Sequence, residues 1–293
     1  MPIFEEKLRL PSKKRFHDAL RGAQEIINAG YIYVVDLDLE RFFDTVNHSK
    51  LIEILSRTIK DGRVVSLIHK YLRSGVINKG LFEMSDEGTP QGGPLSPLLS
   101  NIMLNELDKE LERRGLPFVR YADDSMIFCK SKRAARRVKE SITRFIEGTL
   151  YLKVNKEKTV VSYVQGVKYL GYSFYVMKGK CRLTVHSKSK SKMKSRLKEL
   201  TNRSNGWGYF KRKQKLKEYI RGWIGYYHLA DMKRFLLDTD EWLRRRIRMC
   251  IWKSWKKPKT KVSNLIKCGI EKHKACEWGN TCKGYCVSLI ALY

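Results

Sequence analysis

The chain has 293 residues, enough for two domains of about 100 to 200 residues each. Its 60 lysines and arginines outnumber 30 aspartates and glutamates, which gives a formal net charge of +30. Such a surplus repels itself in a compact state unless an anionic partner balances it, so nucleic acid is the expected partner class. No apolar run approaches the roughly 18 residues of a membrane helix, and we expect no membrane partner.

The positive charge is concentrated in the C-terminal part of the chain. Nearly half of the basic residues, and few of the acidic ones, lie in residues 178–261. A run of charge is often only a solvated face, but here aromatic residues such as Trp207, Phe210 and Trp223 alternate with the bases. Disordered basic tails lack aromatic residues, so this segment is predicted to be a folded nucleic-acid-binding region.

The seven cysteines are scattered, and no secretory signal precedes them. A disulfide framework is therefore not expected, and a cytoplasmic protein, with activity at the nucleoid, is favoured. Cys268, His273, Cys276, Cys282 and Cys286 invite a zinc interpretation. Their spacing lacks the paired CxxC of zinc knuckles, which argues against it.

The N-terminal half alternates helical and strand patterns. Residues 17–27 have the period of an amphipathic helix that ends at Gly30, and residues 31–39 predict a buried strand. Residues 49–71 predict two helices broken near Asp61. A Gly- and Pro-rich stretch then leads into a helix over 98–114.

A hairpin follows this helix. Apolar strands over 118–121 and 125–129 flank Ala122-Asp123-Asp124, and a helix over 133–147 comes next. Short strands are predicted near Val154 and over 160–176, and the rest reads as helical and basic. The alternation predicts an α+β unit that ends near residue 177, followed by a helical unit.

Three carboxylates occupy contexts where charge is costly: Asp38 on an otherwise apolar strand, and Asp123 and Asp124 in an apolar hairpin. Buried acids are normally paired or bound to a cation. Oxygen ligands with few nearby His or Cys favour Mg²⁺, and acids from adjacent strands suit two-metal phosphoryl transfer. A turn is required because consecutive strand residues face opposite sides. A lone Asp-Asp pair is more often merely a turn.

Three motifs in order resemble the reverse transcriptases. Tyr121-Ala122-Asp123-Asp124 is similar to their YxDD box, residues 38–44 resemble their first catalytic motif, and residues 89–97 resemble their PQG segment. The resemblance covers residues 16–177 and implies a right-hand polymerase palm, an antiparallel sheet flanked by helices. It also implies an RNA-directed DNA polymerase that uses two Mg²⁺ ions, for which Mn²⁺ can substitute.

The resemblance also implies individual roles. Asp38, Asp123 and Asp124 would be catalytic and, with Leu39, would bind the metal ions; Asp36 is the nearest competitor for the first position. Phe43 would lie against the sugar C2′ position and select dNTPs, while Phe42 is expected in the core. The other implied substrate contacts are Gln91, Gly92, Tyr121 and Lys156, and Lys158 is a further phosphate candidate.

The C-terminal part resembles the maturase-specific region of group II intron proteins. Residues 221–227, 240–248 and 283–285 carry this similarity, which implies a basic helical thumb that grips intron RNA. Alternatively, Trp223, Tyr226 and Tyr227 simply form the core of that domain. The candidate RNA contacts are Lys188, Lys190, Lys192, Lys211, Arg212, Lys213, Arg244 and Arg245.

The resemblance predicts a division into a palm domain, 1–177, that lacks the finger motifs, and a thumb/maturase-specific RNA-binding domain, 178–293. Without fingers, the chain is expected to be a fragment, a shortened form or half of a split enzyme, working as a homodimer or with a complementing finger fragment. The expected partners are group II intron RNA, an RNA template with a DNA primer, and dNTPs.

Two alternative functions follow from these expectations. One is a splicing cofactor that keeps the maturase surface but polymerises poorly. The other is a reverse transcriptase of a defence or diversity-generating system, which predicts no maturase-like C-terminal part.

Overall fold

The chain divides between Arg182 and Leu183 into an α+β unit and a helical unit. The computed structural model describes residues 16–74, 76–78, 81–83, 87–89 and 93–280. Within that part of the chain, no helix is both long enough and apolar enough to cross a membrane.

The first unit contains six helices and eight complete strands within its described residues. In chain order they are α1 Phe16–Asn28, β1 Tyr33–Leu37, α2 Phe42–Thr45, α3 His48–Thr58, α4 Gly62–Leu72, β2 Val76–Asn78, β3 Leu81–Glu83, α5 Ser96–Arg113, β4 Phe118–Tyr121, β5 Asp124–Cys129, α6 Lys132–Thr149, β6 Val160–Tyr163, β7 Lys168–Tyr169 and β8 Tyr172–Met177. These elements confirm the predicted α+β class and the predicted break between α3 and α4, where the Asp61 side chain accepts from the Arg63 N–H.

The central sheet has the strand order β4-β5-β1-β6, and its neighbours are antiparallel. In β1, Val35 and Leu37 join one large core with α3, α5 and α6. Because strand residues alternate between faces, Asp36 points to the opposite face. The strand ends at Leu37, two residues before the predicted end, so Asp38 lies just beyond it.

Helix α6 illustrates how the flanking helices form. The Ser131 side chain accepts a hydrogen bond from the Ala134 N–H and caps the first turn. Ala135, Ile142 and Ile146 are fully buried and recur at helical spacing, which fixes the face that packs on the core.

Strand β9 Lys180–Val185 joins β7 and β8 in a three-stranded sheet. The sequence predicts that the region after residue 177 is helical and basic, so this strand differs from the prediction. The reason is visible in the burial pattern: Cys181, Leu183 and Val185 are buried and alternate with more exposed residues.

The second unit is helical within its described residues, apart from the end of β9. Its helices are α7 Ser187–Leu200, α8 Tyr209–Tyr226, α9 Lys233–Ser254, α10 Pro258–Lys267 and α11 Lys272–Asn280. Trp223 and Tyr227 are each 9% exposed, with ring centroids 4.6 Å apart, and Phe235 lies 5.9 Å from Trp223. The core interpretation therefore holds for these two residues, whereas Tyr226 is 38% exposed.

A short loop, residues 87–89, is held against the segment that follows β1. The Gly88 N–H donates to the Val46 carbonyl at 2.8 Å, and the Thr89 N–H donates to the Phe43 carbonyl at 2.6 Å. The buried His48 ring donates from Nε2 to the Gly88 carbonyl at 2.6 Å. These bonds tie Gly88 and Thr89, the first residue of the PQG segment, to the backbone of Val46 and Phe43.

Gly88 permits this close approach. Its φ is +89°, and a Cβ at this position would lie 2.8 Å from the Phe43 carbonyl oxygen and 2.9 Å from that of Asp44. We expect Gly88→Ala to lower the free energy of unfolding by about 2 kcal/mol, because backbone atoms cannot move aside cheaply. Urea denaturation measures the loss.

Gly115→Ala is the matched control. Gly115 also has a positive φ, +63°, but nothing lies within 4 Å of its Cβ position. The control therefore carries the conformational cost, on the order of 1 kcal/mol, without the contact. Equal losses in both variants would show that the approach at Gly88 is unimportant.

Candidate active site

Asp38 is held by its backbone. Its N–H donates to the Thr159 hydroxyl, which in turn donates to the Asp38 carbonyl, each at 3.2 Å. The Asn155 N–H donates to the same carbonyl at 2.9 Å. Thr159 is fully buried, whereas the Asp38 side chain is 39% exposed. The main chain is thus fixed while the carboxylate stays accessible.

Leu39 follows in an isolated bridge with Val154. The bonds on either side of it join Asn155 to Asp38 and Glu40 to Lys153, the latter at 2.8 Å. No backbone N–H in the described part of the chain bonds to the Leu39 carbonyl. This oxygen is therefore available to a ligand beside Asp38.

The hairpin between β4 and β5 carries the next two acids. Tyr121 pairs with Asp124, which leaves Ala122 and Asp123 as the two turn residues. Ala122 has a φ of 56°, and a positive φ at the first turn position is typical of the tight hairpin turns that match strand twist. Both acids consequently lie at the tip of the hairpin, as the sequence predicted.

The sheet register brings Asp38 and the hairpin together. In the β1–β5 pair, Asp36 lies opposite Met126 and Leu37 opposite Ser125. Asp38 and Asp124 are the next residues beyond this last pair, and the charge of Asp38 raises the pKa of Asp124, so the two acids lie close together. The two catalytic motifs therefore meet at one end of the sheet, although 85 residues of sequence separate these two acids.

The acids influence one another electrostatically. Burial, then the charges of Asp124 and Asp38, raise the pKa of Asp36 to about 6. Partial desolvation raises the pKa of Asp124, and the charges of Asp123 and Asp38 raise it further. Four carboxylates thus share one region in which negative charge is unfavourable.

Two lysines oppose this negative charge. Lys168 lowers the pKa of both Asp36 and Asp124. Lys158 Nζ lies 3.7 Å from Asp38 Oδ2. Lys156, the candidate chosen from sequence, is exposed in the turn over 156–158. Lys168 and Thr159 were missed as site residues, because nothing in their local sequence indicates contact with a strand more than 100 residues earlier.

The donor set suits a hard divalent cation. Asp38, Asp123, Asp124 and the Leu39 carbonyl offer only oxygen ligands. Among the residues described, no three Asp, Glu, His or Cys side chains are arranged as a metal-binding group. The assignment of these four residues as metal ligands stays a prediction.

The other predicted substrate contacts are placed differently. Phe42 is 3% exposed and lies in the core, as expected, while Phe43 is half-buried at its margin with its ring 5.4 Å from that of Phe42. Tyr121 is 37% exposed. Gln91 and Gly92 lie outside the described residues.

The candidate RNA contacts lie on the helices of the second unit. Lys188, Lys192, Lys211, Lys213, Arg244 and Arg245 are exposed, and Lys190 is half-buried. Arg212, in contrast, is buried and cannot be one of the RNA contacts. It is 7% exposed, and its guanidinium donates to Asn205 Oδ1 at 3.1 Å, so it packs inside the unit.

Comparison with known proteins agrees with the fold and the motifs. Residues 3–174 match the family described as reverse transcriptase (RNA-dependent DNA polymerase). Residues 190–269 match the group II intron, maturase-specific domain. The chain belongs to the reverse transcriptase family, and the maturase-specific match places it in the group II intron branch. Proteins of the reverse transcriptase family generally use divalent metal ions.

Individual proteins are similar to parts of this chain. Protein YkfC of Escherichia coli K12 is 34% identical, over 58% of this chain and 56% of that protein. The group II intron-encoded protein LtrA of Lactococcus lactis is 27% identical, over 60% of this chain and 40% of LtrA. This chain therefore spans about half the length of the curated relatives it matches. A Candida tropicalis apo telomerase structure is 15% identical, with a TM-score of 0.48 over 87% of this chain and 47% of that one.

The crowding of acids makes a stability prediction. Asp36→Asn removes one negative charge from the desolvated cluster without changing the shape of the side chain. In chelator at pH 8 we expect the free energy of unfolding to rise by about 1 to 2 kcal/mol. Urea denaturation measures this change. Glu140→Gln, at an exposed position on α6, is the control and should change the free energy of unfolding by less than about 0.5 kcal/mol. A less stable Asp36→Asn would contradict the inferred repulsion.

Proposed function

We propose that this chain carries the polymerase centre and the RNA-binding part of a group II intron reverse transcriptase, which copies RNA into DNA. The observation that supports this most is the sheet register, whose last pair, Leu37 with Ser125, brings the adjoining Asp38 close to the Asp123-Asp124 hairpin. Acids from two neighbouring strands at one end of a sheet suit nucleotidyl transfer, in which a primer 3′-hydroxyl attacks the α-phosphate of a dNTP and pyrophosphate leaves.

In this proposal Asp38, Asp123, Asp124 and the Leu39 carbonyl hold two divalent ions, Mg²⁺ or Mn²⁺ as its substitute. Such ions would activate the 3′-hydroxyl and neutralise the triphosphate. Thr159 keeps Asp38 in place by bonding to its backbone on both sides. The Lys158 and Lys168 charges offset the acids, and either one can also face an incoming phosphate.

Phe43 is proposed to select the sugar. Its side chain sits at the edge of the core rather than inside it, and its carbonyl is fixed by Thr89. A ring held in this way penalises a ribonucleotide by contact with its 2′-hydroxyl. Gln91, Gly92, Tyr121 and Lys156 are the further proposed contacts to the nucleotide and template.

A splicing cofactor remains the second candidate, and the basic second unit favours it. Its exposed lysines and arginines suit the phosphates of structured intron RNA, independently of polymerisation. Because this chain spans about half of its relatives' length, polymerisation and splicing assistance are both proposals for this chain. The proposed partners are group II intron RNA, primed RNA template and dNTPs, in the cytoplasm.

Primer extension separates the two functions. With purified chain, an RNA template, a DNA primer, dNTPs and Mg²⁺, we expect extension that Asp123→Ala reduces by at least about a thousandfold. Glu140→Ala, an exposed acid of the same unit, should retain activity. The opposite result is an unmodified chain that binds the intron tightly and accelerates splicing without extending any primer. This result would contradict the polymerase proposal and support the splicing cofactor.

Salt dependence tests the RNA surface. Replacing Lys188, Lys192 and Lys213 by Gln should weaken RNA binding and lower the slope of log K against log salt by about 2, because each lost phosphate contact removes about 0.7 to 0.9. Filter binding or fluorescence anisotropy at several salt concentrations measures the slope.

The control removes the same charge elsewhere. Lys132, Arg133 and Arg137 lie exposed on α6 of the first unit, and their replacement by Gln should change the slope less. If the two triple variants behave alike, the second unit has no privileged role in binding. An unchanged slope in both would mean that these bases face solvent in the complex.

A further inference from the structure

We propose that Arg120 is the positioning residue of the catalytic hairpin, holding the turn that carries Asp123 and Asp124 against helix α5. The proposal rests on the proposed function, since it concerns the acids of that site. Arg120 precedes the hairpin turn on β4, and its side chain is only 5% exposed. A buried guanidinium is costly unless its donors are satisfied, so its partners indicate what it does.

Those partners lie on two elements. Nε and Nη2 donate to the two carboxylate oxygens of Asp108, at 2.8 and 2.5 Å, in a bidentate pair. Nη1 donates to Asn101 Oδ1 at 3.1 Å and to the Ala122 carbonyl at 2.9 Å. Asp108 and Asn101 are seven residues apart on α5 and therefore share one helix face. Arg120 thus connects that face directly to the turn.

The bond to Ala122 acts on the turn itself. The Ala122 carbonyl belongs to the peptide unit that joins Ala122 to Asp123, so holding its oxygen sets the orientation of that peptide plane. Ala122 is also left-handed, a conformation that costs an L-residue about 1 kcal/mol without compensation. Arg120 supplies a fixed donor to the Ala122 carbonyl and none to Asp123 or Asp124, which are exposed residues of the hairpin.

This arrangement differs from a simple structural ion pair. An Arg114–Glu110 pair at 2.6 Å also anchors α5, and Arg114 additionally donates to Ser141 at 2.9 Å. None of these contacts involves the hairpin turn. Arg114 is therefore a matched control that shares the unit, the helix and the type of bond, but not the contact with Ala122.

Arg120→Lys keeps the charge but cannot reach both Asp108 oxygens and the Ala122 carbonyl at once. Loss of a support behind metal ligands typically costs about 10- to 100-fold in metal affinity or activity. On the full chain we expect this variant to weaken Mn²⁺ binding, measured by calorimetry or electron paramagnetic resonance, by about tenfold or more. In primer extension kcat should fall by a similar factor, with the KM for dNTP changed less than about threefold.

Arg114→Lys should leave Mn²⁺ affinity and kcat within about twofold of the unmodified chain. Any loss of thermal stability in the two variants is compared by circular dichroism. If Arg120→Lys does not fold, Asp108→Asn, an isosteric change that removes one member of the pair, takes its place and should show the same loss of Mn²⁺ affinity.

Asp123→Ala separates this proposal from the proposed function. Loss of Mn²⁺ binding in Asp123→Ala, with binding and kcat unchanged in the folded Arg120 or Asp108 variant, overturns the role of Arg120 alone. Unchanged Mn²⁺ binding in Asp123→Ala overturns the metal site and with it the proposed polymerase. Because the binding measurement does not depend on turnover, it decides the role of Arg120 even if the chain extends no primer.

Discussion

Repulsion between carboxylates at one end of the central sheet is the constraint on which the rest of the first unit depends. The sheet register brings Asp38, just beyond β1, close to the hairpin acids, and the pKa of Asp36 rises to about 6 because burial and neighbouring charges both disfavour its ionised form. Such a cluster would disperse if its chain segments were free. The fold instead holds each segment through its backbone: Thr159 on both sides of Asp38, and Arg120 at the Ala122 carbonyl.

Support through the backbone has a chemical consequence. A hydrogen bond to a carboxylate would stabilise its charge, but it would also occupy an oxygen that a cation needs. Thr159 and Arg120 leave the acid side chains open, and the exposed Lys158 Nζ lies 3.7 Å from Asp38 Oδ2. The cost of gathering the acids is thereby offset by packing and buried polar bonds elsewhere, which is how a site can be preorganised for charge before its ligand arrives.

The elements that carry the site could be predicted from sequence because their signals are local. Apolar strands around Ala122-Asp123-Asp124 predicted the hairpin, and the break at Asp61 predicted two helices. The supports could not be predicted, since they depend on tertiary pairing: Thr159 meets Asp38 across 121 residues, and Arg120 meets Asp108 on another element. Burial of Arg212 was also missed, because a basic stretch shows charge and not which side chain turns inward, here to Asn205.

The two charge patterns of the chain are consistent with a single kind of substrate. Acids alone would repel a polyanion, and bases alone would bind it without chemistry. A nucleic acid held by a basic surface can approach carboxylates only if their charge is locally reduced, by bound cations and by lysines such as Lys158 and Lys168. The surplus of +30 for the whole chain and the acid cluster in the first unit are the two charge patterns that the proposed nucleic-acid ligand would need. An acid cluster that served only to shape the hairpin turn would require neither the basic surplus nor the buried supports.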